Sequence, residues 1–291
     1  MPFNGLLAYE INSKIANLLW KSMQFIFEGL SLGQITFSGD VLPENENAII
    51  IANHLSYSDF YLINGLALRK GMLPYCRWFA KSSLKYQLPI FGLSMYLIGM
   101  VMITRDWLKD STSISKAFAH LKDPIGIGKR IWLVSFLEGT RFTPEKRLKS
   151  QEFCRSKGKP VLQHLLAPRT KGFVAAVQEL RGSQVTHVYD LTLAYRGPKG
   201  FNDPSSLLTV HTTSNLSSTY SYHVHVRRYA LNELPNTDAE LTKWVESIWK
   251  EKDEILNGLN DHWINWDGLV GNGAKKDSLS GAYGVYRQGI W

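Results

Sequence analysis

The chain has 291 residues, enough for one large α/β domain or two small ones with a real buried core. Thirty-three Lys and Arg against 25 Asp and Glu give a formal charge of +8, which suits phospholipid head groups, coenzyme phosphates or nucleic acid. The basic residues are spread along the chain and no helix-turn-helix, zinc or RNA-binding signature appears, so no nucleic-acid partner is expected. Cys76 and Cys154 belong to no Cys-x-x-Cys pair and read as buried, reduced thiols of a cytosol-facing protein. The first residues lack the basic start and cleavable apolar segment of a secretion signal.

Residues 9–32 form the first helical pattern, with Ile15, Leu19, Met23, Ile26 and Leu30 spaced by four, four, three and four. Lys14, Lys21 and Glu28 interrupt the apolar face, which argues against a spanning helix. The face then packs on the domain's own core or lies in a membrane interface. A strand over 34–39 and a polar loop over 42–47 follow. Ala48–Ala52 is a run of apolar, largely β-branched residues that reads as a buried strand, and a helix is predicted from Asp59.

No charged residue occurs from Tyr86 to Thr104. Pro89, Gly92 and Gly99 break that stretch, which parses as core or interfacial structure ending in a strand over 100–103. A helix over 111–121 stops at Asp123-Pro124, and 131–136 is the clearest strand. Residues 142–160 read as basic and poor in helix, 171–180 as a helix and 185–195 as a strand. A Ser/Thr-rich loop or sheet edge is predicted over 204–220, then an edge strand over 222–226. His223 and His225 would share one side of that strand, as two solvated histidines or, with a third ligand, a metal site. An amphipathic helix over 238–259 and a Gly-rich tail over 268–291 close the chain. Short apolar strands alternating with helices argue for an α/β fold, a mostly parallel central sheet covered by helices with an amphipathic helix at the N-terminus.

Three polar clusters each follow an apolar strand: His54 with Asp59, then Arg105, then Glu138-Gly139-Thr140-Arg141. In a parallel sheet all three lie on the edge formed by the carboxyl ends, where such folds hold their ligands. A neutral imidazole can take a proton from an alcohol or thiol, and a carboxylate on its other nitrogen fixes the tautomer. Ser56-x-x-Asp59 also fits a helix capping box, with the acid there for backbone amides; both readings of Asp59 stand. Two guanidinium groups on the same edge suit a phosphate.

The Asn53-His54-x-x-x-x-Asp59 heptad, Gly99-x-x-x-Ile103-x-Arg105 and Phe136-x-Glu138-Gly139-Thr140-Arg141 together resemble the glycerolipid acyltransferases, in order and spacing, over residues 35 to 200. Pro168-Arg169-Thr170-Lys171-Gly172-Phe173 and Tyr189-Asp190-Leu191-Thr192 resemble the eukaryotic branch with lysocardiolipin and lysophosphatidylinositol acyltransferases. Leu137 stands where many relatives have proline, and 185–189 replaces the usual Ile-Pro-Val block. Together the patterns and the resemblance divide the chain into an amphipathic helix over 1–33, packed on the core or lying in a membrane interface, an acyltransferase catalytic domain over 34–230, a helical extension over 231–267 and a Gly-rich tail over 268–291. It implies transfer of an acyl chain from acyl-CoA, as co-substrate, to a lysophospholipid acceptor at a membrane surface, at the cytosolic side of the endoplasmic reticulum. His54 would be the base, Asp59 its orienter, Arg105 and Arg141 the phosphate clamp, and Glu138, Gly139 and Thr140 the walls of that subsite. No metal and no other cofactor is implied. A CoA-independent transacylase and a non-catalytic lipid-binding module are the alternatives.

Overall fold

The structure is a computed structural model, in which residues 5–81, 100–103 and 130–263 are described. The expected helix over 111–121 and the tail over 268–291 lie outside the described residues, as does most of the uncharged stretch before residue 100. Helix α1 (Gly5–Gln24) runs into a π-type turn, Phe25–Leu30. Then come β1 (Ile35–Gly39), β2 (Ala48–Ala52), α2 (Asp59–Arg69), β3 (Cys76–Lys81), β4 (Val101–Ile103) and β5 (Trp132–Phe136). The second half holds α3 (Pro144–Ser156), α4 (Lys171–Leu180), β6 (His187–Gly197), β7 (Gly200–Phe201), α5 (Leu207–Thr212), β8 (Ser221–Ala230) and α6 (Asp238–Asp261).

Among the described residues the strands form one sheet in the order β1-β8-β6-β2-β5-β3-β4, with β7 hairpinned onto β6. β6, β2, β5, β3 and β4 are mutually parallel, while β8 runs antiparallel to β6 and β1 runs parallel to β8. The central strands are covered on both faces, which is why β2 can be apolar at every position. Ala48, Ile50 and Ala52 face α1 and α2, whereas Ile49 and Ile51 face α4 and α6. This matches the expected mostly parallel sheet.

Three local expectations are corrected. The segment read as poor in helix contains α3: Thr143 caps it, accepting from the Lys146 N–H at 3.3 Å, and Pro144 holds the first turn. α3 buries only Gln151 and Cys154, so it shows no apolar periodicity. The Ser/Thr-rich stretch folds into α5, capped by Ser206, and a 3₁₀ turn, Leu216–Ser218. β8 is an interior strand between β6 and β1, not an edge. His223 and His225 are consequently buried against Thr36 and Ser38 of β1 rather than solvated.

Candidate active site

β2 and β5 pair with Ala52 opposite Phe136. The register carries past the strand ends and sets His54 beside Glu138, each two residues beyond its strand. The His54 N–H reaches Glu138 Oε1 at 3.4 Å, and the His54 carbonyl accepts from the Phe142 N–H at 2.7 Å. The strand order thus brings two of the three sequence clusters together. β4 is parallel to β3, so its carboxyl end lies on the same edge; Arg105, two residues further, lies outside the described residues.

His54 Nδ1 meets Asp59 Oδ2 at 2.6 Å. A carboxylate only accepts, so Nδ1 carries the hydrogen and Nε2 is the nitrogen left to take a proton. The imidazole stacks on Phe136 with centroids 4.1 Å apart and planes 12° apart, which fixes its rotation. Its side chain keeps 16% exposure while Asp59 has none. Asp59 Oδ2 also accepts from the N–H groups of Leu55 at 2.8 Å and Ser56 at 3.2 Å. Asp59 therefore meets both the His54 ring and backbone amides, but not as a capping box. The acid binds amides of the connecting loop, and Ser56 does not cap α2, whose cap position is Ser58 without a side-chain bond.

The turn after β5 divides its work. Glu138 is 2% exposed, so its contacts are with the protein. Burial pushes its carboxyl well above the usual carboxylate range, against the pull of the His54 and Leu166 amides and of Lys252. Glu138 thus supports the His54 backbone from within. Gly139 has a φ of +66°, a left-handed conformation that favours glycine, while a Cβ there would lie 2.9 Å from Arg169 Cδ, a flexible side chain that can yield. Thr140 Oγ1 accepts from Lys146 Nζ at 2.7 Å, and the same ammonium reaches the Arg141 carbonyl at 3.1 Å. The Arg141 guanidinium lies 4.2 Å over the exposed ring of Tyr57, inside the heptad. It is thereby held beside the dyad facing solvent, where a phosphate could be gripped.

Sequence reasoning missed the distant partners, Leu193, Tyr195 and Ser205, that hold the heptad in place. Asn53 takes over where the β2–β6 ladder ends: its amide donates to the Leu193 carbonyl at 2.9 Å and accepts from the Leu193 N–H at 2.8 Å. Ser56 and Ser58 hydroxyls both donate to the Ser205 carbonyl, at 3.2 and 3.0 Å. Tyr195 donates to Asp59 Oδ1 at 2.5 Å. None carries a local signal beyond its inward parity on a strand or its place beside His54. The charge was also less evenly spread than its count suggested. From Arg141 to Lys171 nine Lys and Arg stand against two Glu, so this stretch next to the dyad holds seven of the eight net positive charges. Among the described residues no group of three His, Cys, Asp or Glu is placed to hold a metal.

The Acyltransferase family matches residues 34–196, and the Acyltransferase C-terminus family matches 216–262. The chain is 34% identical over 243 residues to the Arabidopsis thaliana protein named "Probable 1-acyl-sn-glycerol-3-phosphate acyltransferase 5". It is 33% identical over 277 residues to A. thaliana 1-acyl-sn-glycerol-3-phosphate acyltransferase 3, and 33% over 263 to Homo sapiens 1-acyl-sn-glycerol-3-phosphate acyltransferase gamma. These matches take in 83%, 91% and 89% of this chain but 61%, 70% and 66% of the relatives. The fold is similar to the crystal structure of PlsC, the 1-acyl-sn-glycerophosphate acyltransferase of Thermotoga maritima, with a TM-score of 0.50 at 18% identity. That likeness covers 84% of this chain and 82% of the other. Family match, relatives and fold agree with the order of the motifs: the chain belongs to the Acyltransferase family.

Proposed function

We propose that the chain moves a fatty acyl group from acyl-CoA to the free hydroxyl of a lysophospholipid, of lysophosphatidic acid or lysophosphatidylinositol type, at the cytosolic face of a membrane. The observation that carries this reading is the His54 Nδ1–Asp59 Oδ2 contact of 2.6 Å, which leaves Nε2 basic on the sheet's carboxyl edge. In the reaction His54 Nε2 takes the acceptor's hydroxyl proton as its oxygen attacks the thioester carbonyl carbon. The tetrahedral adduct collapses, the C–S bond breaks, and the imidazolium returns the proton to the departing thiolate. General-base help of this kind is worth about 10²–10⁴ in rate. Arg141 grips the acceptor phosphate, with Lys146 holding the turn that carries it, and Arg105 joins them by its motif. The excess positive charge over 141–171 draws in both anionic substrates.

The membrane surface is reached through α1. Leu7, Ile11, Ile15, Leu18 and Phe25 are exposed along one stripe of this segment, Leu18 at 72%, with the exposed Lys14 and Lys21 flanking it. Among the described residues no helix is long and apolar enough to cross a bilayer, and a stripe of this kind suits an interfacial position. Ile15→Glu with Leu18→Glu should weaken flotation with anionic vesicles; unchanged flotation removes α1 from that role.

The test is purified protein with oleoyl-CoA and, separately, lysophosphatidic acid, lysophosphatidylinositol and lysophosphatidylcholine, following released thiol and product mass. Product that depends on the head group and vanishes in His54→Ala is the expected result. Thiol release without lipid product, or full activity in His54→Ala, overturns the reading.

A further inference from the structure

Asp59 divides its two oxygens between two strands' worth of structure. Oδ2 takes His54 Nδ1 and two amides of its own loop. Oδ1 takes the Tyr195 hydroxyl, from near the end of β6, at 2.5 Å. Both residues are fully buried. Burial first, then the Asp59 charge, pushes the Tyr195 phenol well above its usual range, so the proton stays on the tyrosine and the hydroxyl is a fixed donor. Its ring packs edge-on against Tyr222, with centroids 5.8 Å apart and planes at 84°. Tyr222 in turn donates to Ser205 Oγ at 2.9 Å, and the Ser205 carbonyl receives the heptad's two serine hydroxyls. The tyrosine is thus locked against the loop that it serves.

We propose that Tyr195 is a positioning residue for the His54–Asp59 dyad, holding the carboxylate in the rotation that meets Nδ1 and lowering the basicity of His54 by drawing charge from Asp59. Each donor on a carboxylate stabilises its charge and leaves less of it to stabilise a neighbouring cation. An Asp59 with one donor fewer would hold the imidazolium more tightly. More of the enzyme would then carry a protonated, idle His54 at a given pH, and the proton would return to the leaving thiolate less readily. A buried phenol also needs an acceptor for structural reasons alone, so the test must read the histidine and not only the fold.

The experiment titrates His54 by NMR in the full-length protein with ¹⁵N-labelled histidine, using His54→Ala to assign the signal. Tyr195→Phe should raise the His54 midpoint by roughly half a pH unit or more. 3-Fluorotyrosine at 195, a stronger donor of the same shape, should lower it. The kinetic arm rests on the acyltransferase reading: the acidic limb of kcat/KM should follow the NMR midpoint, kcat should fall about ten-fold in Tyr195→Phe, and KM for oleoyl-CoA should stay within about two-fold. Coincident titration curves for the three proteins overturn the proposal, whatever happens to stability. Should Tyr195→Phe not fold, the fluorotyrosine protein decides alone. Should the parent protein turn over no acyl-CoA, the function falls while the titration still judges Tyr195.

Discussion

His223 and His225 make the protein sensitive to acid through a hydrogen-bond chain whose direction is set from one end. Thr36 Oγ1 donates to the Tyr222 carbonyl at 3.1 Å, which leaves its lone pair for the His223 Nδ1 hydrogen at 2.7 Å. His223 Nε2 must then accept from the Ser38 hydroxyl at 2.8 Å, and Ser38 accepts from His225 Nδ1 at 2.9 Å. A further proton on His223 would meet the Ser38 hydrogen. Burial is the main reason that His223 falls to about 3 and His225 to about 4. Arg227 adds to the effect on His225, while Asp190 and Asp40 oppose it. In the unfolded chain both titrate near 6.5. Below that pH the unfolded state takes up two protons that the folded state refuses, so stability is full above about 6.5 and falls as pH drops toward the folded values. At pH 5 each histidine has lost about 1.5 pH units at about 1.4 kcal/mol per unit, or about 2 kcal/mol, and the pair about 4 kcal/mol. Urea unfolding followed by tryptophan fluorescence at pH 7.5 and 5.0 measures this, with the doubly substituted His223→Gln, His225→Gln chain as reference. Glutamine keeps a donor and an acceptor but does not titrate, so contributions from other groups cancel between the two proteins. The parent should lose about 4 kcal/mol more than the variant between the two pH values. Equal losses would refute the reasoning.

Three more expectations follow from the site and its supports. Asp59→Asn should cut turnover by about 10²–10⁴ while costing under about 2 kcal/mol on unfolding; a rate within a few-fold of the parent would leave Asp59 as an anchor for loop amides only. Glu138→Gln should keep most of the activity, because burial favours the neutral acid, whereas Glu138→Ala should lose about 1–3 kcal/mol of stability by stranding the His54 amide. A glutamine variant as inactive as the alanine one would show that the carboxylate charge is used. Lys252→Met removes a fully buried ammonium that meets Asp190 Oδ1 at 2.5 Å and the Leu191 carbonyl at 2.8 Å; thermal unfolding should register a loss of about 3 kcal/mol, and a loss below about 1 kcal/mol would contradict it.

What could be read from the sequence was whatever announces itself locally. β2 and β5 are apolar at nearly every position because both faces are covered, and such runs are legible without partners. His54 and Asp59 lie five residues apart, so one short loop contains their chemistry. The chemistry of α3 is legible too, in its cap and proline, but with only Gln151 and Cys154 buried it lacks the apolar period that identifies a helix. Tyr222, Val224 and Val226 alternate in the same way in an interior strand as in an edge strand, so position in the sheet was invisible. The hydroxyls that satisfy His223 and His225 stand up to 187 residues away in β1, and Tyr195 is 136 residues from Asp59. Pairings at such separations depend on strand order, which no local pattern encodes.

The heptad hangs from β6 as much as from the strand that precedes it. Asn53 clasps Leu193 at two points, and Tyr195 holds Asp59. On the other face, Asp190 pairs with Lys252 of α6 and with Arg227 of β8, the latter at 2.6 Å. β6 is therefore fixed in position by two elements that both lie within the matched C-terminus region, β8 as its ladder partner and α6 as its cover. Leu241, Val245, Ile248, Trp249 and Leu256 of α6 share one apolar cluster with Ile49 and Ile51 of β2, the strand that ends at His54. In the proposed mechanism, small displacements of His54 or Asp59 are costly in rate, since positioning at the level of an ångström governs such reactions. The two family regions are thus a single physical device, with the dyad on one and the strand support that keeps it aligned anchored by the other.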